Sequence, residues 1–332
     1  MKTVSVNVMN LCVPCFNHCR YCLLSYNGHI NGANYQRSQN YAERFYKWIQ
    51  ANRPDLSFLF GFGYSMEHPD LLRAIDFCKS IGSATGEFMQ LNGMNFRTDN
   101  ELKSLLSQLK AHGVKLINLT FYGTECYHDT FSARSGDFRL MINTIRLANE
   151  VGIDVTADIP LTQENTSQID TLLGQLEPFR IEKIRCFIPH IEGRGIFLNS
   201  IRFSERDYLS LSDNVRRLIN RNKFKTEREW LSSGFPINEK RVLTVTLTAD
   251  NISFFEEKSF EDTISYLEEL DDNYYRVIPS ANELAEIYGN KNGDKLYSAY
   301  DLYLNYQHMY KKDNKIEIYD VNDERQCFVR RF

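Results

Sequence analysis

Four of the eight cysteines of this 332-residue chain fall within eleven residues, at Cys12, Cys15, Cys19 and Cys22. Thiolates are soft ligands that suit zinc or an iron–sulfur centre, so this crowding indicates a metal site. A structural zinc site would use all four thiolates, but its two Cys-x2-Cys pairs usually lie about a dozen residues or more apart. Only three residues separate Cys15 from Cys19. The bacterial ferredoxin run is C-x2-C-x2-C-x3-C-P, with its three-residue gap before the last cysteine. Here the three-residue gap lies between the second and third cysteines, and no proline follows Cys22.

A third interpretation uses Cys15, Cys19 and Cys22 alone, with the aromatic Tyr21 just before the last of them. This Cys-x3-Cys-x2-Cys pattern resembles the signature of the radical S-adenosylmethionine (radical SAM) enzymes. The resemblance implies that the three thiolates hold three irons of a 4Fe-4S cluster, whose fourth iron is open to the amino and carboxylate groups of SAM. An open coordination position is typical of a catalytic metal site. Cys12 is then extra to the pattern, at the end of the first strand.

The same resemblance implies a reaction and a set of partners. A reduced cluster passes one electron to SAM, and the resulting 5′-deoxyadenosyl radical removes a hydrogen atom from a substrate. An electron donor such as flavodoxin or ferredoxin is implied. Two other functions stay open from the residues: a radical SAM enzyme of small-metabolite or nucleotide biosynthesis, and a non-catalytic scaffold that closes a zinc site with all four cysteines.

Composition narrows the class of protein. Hydrophobic residues make up 42% and charged residues 25%, as in ordinary globular proteins. Lys+Arg 39 against Asp+Glu 43 argues against a nucleic-acid partner, which would favour a basic excess. No apolar run approaches the roughly 20 residues of a membrane span, and Asn7 and Asn10 interrupt the apolar N-terminus too early for a signal peptide. These features predict a cytoplasmic protein with reduced cysteines.

Strand and helix patterns alternate through the first 200 residues, which predicts parallel strands joined by right-handed crossovers. The expected fold class is α/β, a partial (β/α)6 TIM-like barrel over residues 1–200 with a smaller C-terminal α+β extension over residues 201–332. Ligands in such folds lie at the C-terminal ends of the strands. The predicted strands are 3–11, 56–60, 86–91, 114–121, 153–160 and 184–188. The predicted helices are 41–52, 70–81, 99–112, 138–151 and 165–176.

Two strand ends carry segments similar to motifs of the radical SAM family. Ser65-Met66-Glu67 loosely resembles a Gly-Gly-Glu-Pro segment, with both glycines replaced. The resemblance makes Ser65 and Glu67 cofactor-binding candidates, Glu67 for the amino group of SAM; otherwise Glu67 is a carboxylate favoured at a helix N-terminus. Asn92-Gly93 looks like the family's ending of strand three, although Asn-Gly is also a common turn.

Two later segments add further candidates. The run from Tyr127 to Phe138 looks like a family stretch that contains His-Asp, Arg-Gly and Ser-Phe pairs. By that resemblance Thr120 approaches the SAM ribose and Arg134 approaches its carboxylate, which an arginine fork matches in a bidentate manner. Arg134 on its own would also fit a solvated loop residue. Arg194, framed by glycines after the sixth strand, is a second carboxylate or substrate candidate.

The C-terminal part is expected to form a hairpin-like unit from strand 241–247 and residues 252–256. This unit looks like the extension of peptide-modifying family members, which favours a peptide or amino-acid-derived substrate. The chain has no cysteine between Cys186 and Cys327, so no auxiliary cluster is predicted. Cys327 is a candidate hydrogen-atom donor. Tyrosines at helical spacing over residues 297–310 predict a helix face that packs in a core or against a partner.

Overall fold

The structure is a computed structural model. It describes residues 3–8, 15–22, 34–62, 67, 70–82, 86–191, 193–234 and 242–318. Cys12, Ser65 and Cys327 lie outside these residues, so the expectations attached to them stay predictions.

Strands and helices alternate in the first part of the chain, as predicted. From residue 3 to residue 187 the elements are β1 (Thr3–Val8), α1 (Tyr35–Asn52), β2 (Ser57–Phe62), α2 (Leu71–Ser80), β3 (Phe88–Gln90), α3 (Asp99–Ala111), β4 (Leu116–Thr120), α4 (Glu125–Ser132), α5 (Asp137–Val151), β5 (Asp154–Pro160), α6 (Ile169–Leu176) and β6 (Lys183–Phe187). Helix α1 starts before its predicted first residue because the Asn34 side chain accepts from the Arg37 amide and caps it. Helix α4 was not predicted.

Local sequence accounts for helices such as α3. Thr98 and Glu101 form a capping box at its start, in which each side chain satisfies the backbone of the other residue. Its apolar face then follows the helical period, with Leu102, Leu106 and Leu109 fully buried. This face packs into the main core between helices and sheets.

All strand pairs of the two main sheets are parallel. One sheet has the order β2-β1-β8, where β8 is Val242–Leu247, and the other has the order β3-β4-β5-β6. Within the described residues these two sheets do not close into a barrel, and a separate antiparallel pair joins Lys225–Thr226 to Leu296–Tyr297. Parallel strands bring their C-terminal ends to one edge, where ligands bind in α/β folds. The predicted α/β partial barrel is confirmed.

The predicted hairpin after residue 240 is wrong. Strand β8 pairs in parallel with β1, from Thr3 opposite Val242 to Val8 opposite Leu247, and the expected second arm is helix α10 (Ile252–Glu257). Five consecutive residues of β8 are buried, as expected for a strand of a parallel sheet covered on both faces. The sheet therefore takes one strand from beyond residue 200, and the domain division at that point stays a prediction.

Helices build most of the rest of the C-terminal part. After a 3-10 helix (Gly193–Ile201) come α7 (Glu205–Ser210), α8 (Asp213–Arg216), β7 (Lys225–Thr226), α9 (Glu227–Ser233), β8, α10, α11 (Phe260–Val277), α12 (Ala281–Tyr288), β9 (Leu296–Tyr297) and α13 (Ala299–Asn314). The sequence also predicts one helix from Ser204 to about Asn220, and this is wrong. Ser212 adopts an extended conformation and caps α8, which separates it from α7.

The tyrosine-rich segment packs as a core. Tyr297, Tyr303 and Tyr306 are buried with Tyr274 and Tyr288 in a second apolar cluster. The expected core face is confirmed for Tyr303 and Tyr306 of α13, whereas Tyr297 lies in strand β9 and Tyr300 is exposed. In the part of the chain that the structure describes, no helix has both the length and the apolar character needed to span a membrane.

Candidate active site

The predicted cysteine ligands lie on a loop, residues 15–22, at the edge where the parallel strands end. The amide of Phe16 donates to the carbonyl of Gly93 at 2.8 Å, just after β3. The carbonyl of Cys22 accepts from the amide of Arg194 at 3.1 Å, after β6. The loop is therefore fixed between the ends of two strands that are far apart in sequence.

Helix α4 holds the middle of the same loop. The last carbonyls of a helix have no partner within the helix. Here the His18 amide donates to the Ser132 carbonyl at 2.8 Å, and the Arg20 amide donates to the Phe131 carbonyl at 3.1 Å. The end of α4 and the cysteine loop thus satisfy each other's backbone groups.

Cys15, Cys19 and Cys22 have half-buried thiols. Burial raises the pKa of Cys15, and a thiolate at Cys22 raises it further. Burial also raises the pKa of Cys19, to which thiolates at Cys15 and Cys22 add. A thiol whose pKa is raised in this way is a poor nucleophile on its own, whereas a bound metal deprotonates a coordinating thiol. The donor set and its environment therefore fit a metal cofactor.

The next question is whether these thiols would bind a single metal ion or an iron–sulfur cluster. Among the described residues, no three Cys, His, Asp or Glu side chains converge as the ligands of a single ion would. In a 4Fe-4S cluster each cysteine binds a different iron, so its ligands do not need to converge on one point. The zinc alternative also needs Cys12, which lies outside the described residues.

Gly93 has no side chain, and the Cys15 thiol occupies the space that one would need. A Cβ atom at Gly93 would lie 2.2 Å from Cys15 Sγ, and the residue has φ +71°, where glycine is favoured. The Asn92-Gly93 pair is therefore more than a turn. It places the backbone of the β3 end directly against the first predicted ligand.

Asn92 bridges β3 and β4 through its side-chain amide. Its Oδ1 accepts from the Thr120 amide at 3.2 Å, and its Nδ2 donates to the Thr120 carbonyl at 3.3 Å. The Thr120 hydroxyl is buried and accepts from Gln90 Nε2 at 3.4 Å. Asn92 and Thr120 thus lie together beside the cysteine loop, at the C-terminal ends of neighbouring strands.

Arg134 is fixed beneath the cysteine loop. Its Nη1 donates to the Met94 carbonyl at 2.6 Å and to Asn17 Oδ1 at 3.3 Å, and lies 3.5 Å from Asp137 Oδ1. The guanidinium stacks 4.0 Å from the centre of the Phe96 ring, a cation–π contact. Burial lowers the pKa of Arg134. The side chain is 9% exposed, so the solvated-loop alternative is wrong.

Asp137 joins the loop to a buried histidine. Its Oδ2 accepts from Asn17 Nδ2 at 2.8 Å and lies 3.0 Å from His128 Nε2. The Tyr122 amide, which can only donate, lies 3.2 Å from His128 Nδ1. His128 Nδ1 is therefore the acceptor, and in the neutral ring Nε2 carries the proton that it donates to Asp137. All these side chains are almost completely buried.

Replacing Asp137 by alanine is expected to lower the free energy of unfolding by about 3–5 kcal/mol. The change leaves the buried donors of Asn17, His128 and Arg134 without their carboxylate, and breaking a buried ion pair has a cost of this order. Urea unfolding of the iron-free chain measures it. Asp154→Ala is the control, because this carboxylate is exposed and its pair contributes little. A loss for Asp137→Ala no larger than for the control would contradict the expectation.

An apolar cluster covers Cys19 and Tyr21. Tyr122, Phe131 and Leu198 form its buried part, and Cys19 and Tyr21 pack against it. The ring centre of Tyr21 lies 5.7 Å from those of Tyr122 and Phe131. Burial raises the pKa of Tyr21. The cluster limits the access of water to one side of the predicted metal centre.

Glu67 lies close to this region but is already paired. Its two carboxylate oxygens accept from Arg97 Nη1 at 2.8 Å and from Nη2 at 2.7 Å, and Oε1 also accepts from the Asn95 amide at 2.8 Å. Asn95 and Arg97 follow Gly93 in the chain, so the pair connects the end of β2 with the segment after β3.

The loop after β6 is positioned by the C-terminal helix α13. The His190 carbonyl oxygen lies 1.9 Å from the position that a Cβ atom would take at Gly195, so this tight loop requires glycine. His190 Nδ1 is 3.1 Å from Asp301 Oδ1 of α13, and the Ile191 amide donates to the same oxygen at 3.1 Å. Arg194 of this loop is half-exposed.

The structure places most of the described site candidates near the cysteine loop, and their roles stay predictions. Tyr21, Asn92, Thr120, Arg134 and Arg194 lie around the cysteine loop, and Glu67 lies next to the segment after Gly93. The buried residues that sequence analysis missed are Asn17, Tyr122, His128, Asp137 and Asn165. No spacing signal connects them, because the Asn17–Asp137 contact joins residues 120 positions apart.

Comparison with known proteins identifies the class. The family model described as the radical SAM superfamily matches residues 9–176, just over half of the chain. The chain belongs to the radical SAM superfamily, whose members use a 4Fe-4S cluster and SAM. The resemblance drawn from the cysteine spacing and the cofactors it implied are therefore confirmed. A comparison with curated protein sequences gave no match.

Solved structures support the fold. Native anSMEcpe with bound AdoMet is 13% identical, with 94% of this chain and 98% of that chain covered and a TM-score of 0.51. Coproporphyrinogen III oxidase (HemN) from Escherichia coli is 9% identical, with 93% and 90% covered and a TM-score of 0.43. SuiB from Streptococcus suis bound to S-adenosylmethionine is 12% identical, with 74% and 47% covered and a TM-score of 0.41. The first of these likenesses supports the α/β partial barrel.

Proposed function

We propose that this chain is a radical SAM enzyme whose 4Fe-4S cluster is held by Cys15, Cys19 and Cys22. The observation that carries the proposal is the placement of these thiols. One loop holds all three, and its backbone is fastened to the ends of β3 and β6, at the edge where α/β folds bind ligands. When bound, the cluster and SAM supply the reductive cleavage of SAM and the radical that abstracts hydrogen, which are typical of the family.

The other candidates are proposed as the binding surface for SAM. Every side-chain hydrogen bond described for Arg134 uses Nη1, so we assign its remaining guanidinium nitrogens to the SAM carboxylate. Glu67 is assigned to the amino group, as the resemblance to the family implies. Thr120 is assigned to the ribose. The remaining candidates are proposed to belong to the same binding surface: Tyr21, Ser65, Asn92 and Arg194.

Replacing Glu67 by glutamine is expected to weaken SAM binding about tenfold or more. The substitution removes the charge from a hydrogen bond to an ammonium group, and a charge-assisted bond contributes about 1.5–3 kcal/mol. Calorimetric titration of the iron-loaded protein with SAM measures the dissociation constant. Glu87→Gln, an exposed carboxylate paired with Lys115 before β3, is the control. An unchanged constant with iron intact would restrict Glu67 to its pairing with Arg97.

We propose a peptide or an amino-acid derivative as the substrate, and a small metabolite or nucleotide precursor as the second candidate. The hairpin that favoured a peptide is absent, so both classes enter the test. The enclosed surroundings of the cysteine loop would keep water and stray hydrogen donors away from the reacting atoms. We further propose an electron donor such as flavodoxin or ferredoxin and a cytoplasmic location.

The test begins with metal analysis of the anaerobically purified, reconstituted chain. We expect a full cluster's worth of iron and sulfide per chain and no stoichiometric zinc. SAM cleavage is then followed with synthetic peptide pools and with nucleotide and amino-acid metabolite mixtures. The proposal predicts that one pool stimulates cleavage above the substrate-free rate. Stoichiometric zinc, with iron excluded, would instead favour the four-cysteine scaffold.

A further inference from the structure

The hydroxyl of Tyr122 lies against one of the proposed iron ligands. Its oxygen is 3.1 Å from Cys19 Sγ, and the residue is 2% exposed. Either atom is a possible donor when the cysteine is a free thiol. A cysteine that ligates iron is a thiolate and has no proton, so the phenol O–H must then be the donor.

Buried side chains fix the backbone of Tyr122 on both sides. Its amide donates to His128 Nδ1 at 3.2 Å, and its carbonyl accepts from Asn165 Nδ2 at 2.7 Å. His128 is in turn held by Asp137. The main chain of Tyr122 is therefore set by residues that do not belong to the cysteine loop.

Aromatic packing fixes the ring as well. It stacks on Phe131, with ring centres 4.5 Å apart and planes at 28°, and the edge contact with Tyr21 closes another side. The hydroxyl cannot turn away from Cys19 without breaking these contacts. The hydrogen bond to the sulfur is thus built into the fold before any metal binds.

We propose that Tyr122 sets the reduction potential of the cluster by donating a hydrogen bond to Cys19 Sγ. Hydrogen bonds to ligand sulfurs are among the features that determine iron–sulfur potentials. A donor withdraws negative charge from the sulfur and so favours the reduced cluster, which carries one more negative charge. Tyr122 therefore makes the cluster easier to reduce by a donor of given potential. This inference rests on the proposed function, in that Cys19 must bind iron.

The test compares Tyr122→Phe with Tyr127→Phe in the full-length, iron-loaded chain. Both changes remove one hydroxyl from neighbouring aromatic residues, but the Tyr127 hydroxyl contacts Thr162 and Glu164 instead of a cysteine. Potentiometric titration followed by electron paramagnetic resonance gives the midpoint potential without SAM or substrate. For Tyr122→Phe we expect a more negative midpoint at unchanged iron content. At the wild-type midpoint potential, the ratio of reduced to oxidised cluster should be several-fold lower in this variant. A tenfold change in that ratio corresponds to a shift of about 59 mV in the midpoint potential for one electron.

A second variant keeps the proposal testable if Tyr122→Phe loses iron. Replacing Tyr122 by 3-fluorotyrosine preserves the ring and strengthens the phenol as a donor, so the midpoint should become more positive. A midpoint equal to wild type in the variants that retain iron would overturn the inference. A wild-type chain that binds no cluster would instead contradict the proposed function, so the two failures are distinguishable.

Discussion

Replacing Cys15, Cys19 or Cys22 by alanine is expected to abolish cluster assembly and SAM cleavage. Each change removes a direct iron ligand, and the loss should exceed the 10–100-fold effects that changes around a ligand typically produce. Iron and sulfide analysis after anaerobic reconstitution measures the first effect, and chromatography of the SAM products measures the second. The loop backbone does not depend on the thiols, so the variants should fold.

Two other cysteines serve as controls. Cys126 is exposed on α4, and Cys126→Ala should keep the wild-type iron content. Cys12→Ala should also keep it, because the three-cysteine pattern leaves Cys12 out. If Cys12→Ala lost the metal as completely as Cys22→Ala did, the four-cysteine zinc scaffold would replace the enzyme proposal.

The second large effect is expected from Gly93→Ala. The new methyl group would lie 2.2 Å from Cys15 Sγ, well inside contact distance, so either Cys15 or the end of β3 must move. Because Cys15 is a proposed ligand, we expect iron content and SAM cleavage to fall at least tenfold. A displacement of about 1 Å in a catalytic arrangement can cost a hundredfold in rate.

Gly82→Ala is the matched control for this change. Gly82 has φ +70°, almost the same as Gly93, but a Cβ atom there would meet no atom of the described residues within 4 Å. Both variants therefore carry the same left-handed strain of about 1–2 kcal/mol, and only Gly93→Ala touches the cysteine. Equal iron loss in the two variants would attribute the effect to backbone strain and contradict the proposed contact.

The alternating strands and helices of the barrel were predictable because their signals are local. Helix α3 shows the apolar period that burial imposes, and Thr98 and Glu101 mark where it begins. The cysteine spacing is also local, since three ligands lie on one loop. Features of this kind depend on neighbours in the sequence, so one sequence suffices to find them.

The pairing of β8 with β1 could not be predicted, because it depends on residues that are far apart in the sequence. Its alternating apolar residues fit a hairpin arm as well as a sheet strand, and its partner β1 lies more than 200 residues earlier. The buried threonines Thr244 and Thr246 show that both faces are covered, which no local pattern reveals. Tertiary contacts override the local signal in such strands.

The buried residues that hold the cysteine loop could not be predicted from the sequence for a similar reason. In the sequence, Tyr122 is only the residue that follows the predicted strand 114–121. His128 is one residue of the run from Tyr127 to Phe138 that resembles a stretch of the family. Their roles arise only when α4 brings them to the cysteine loop, where Asp137 and Asn165 complete the hydrogen bonds. Long-range hydrogen bonds between buried side chains leave no spacing signature.

The most direct test of the central claim is the formation of 5′-deoxyadenosine from SAM. Wild-type chain and Cys22→Ala are reconstituted anaerobically with iron and sulfide, then incubated with SAM and dithionite and analysed by chromatography. The account predicts reductant-dependent 5′-deoxyadenosine from the wild type and none from Cys22→Ala. Intact SAM in the presence of a fully loaded, reduced wild-type chain would contradict it.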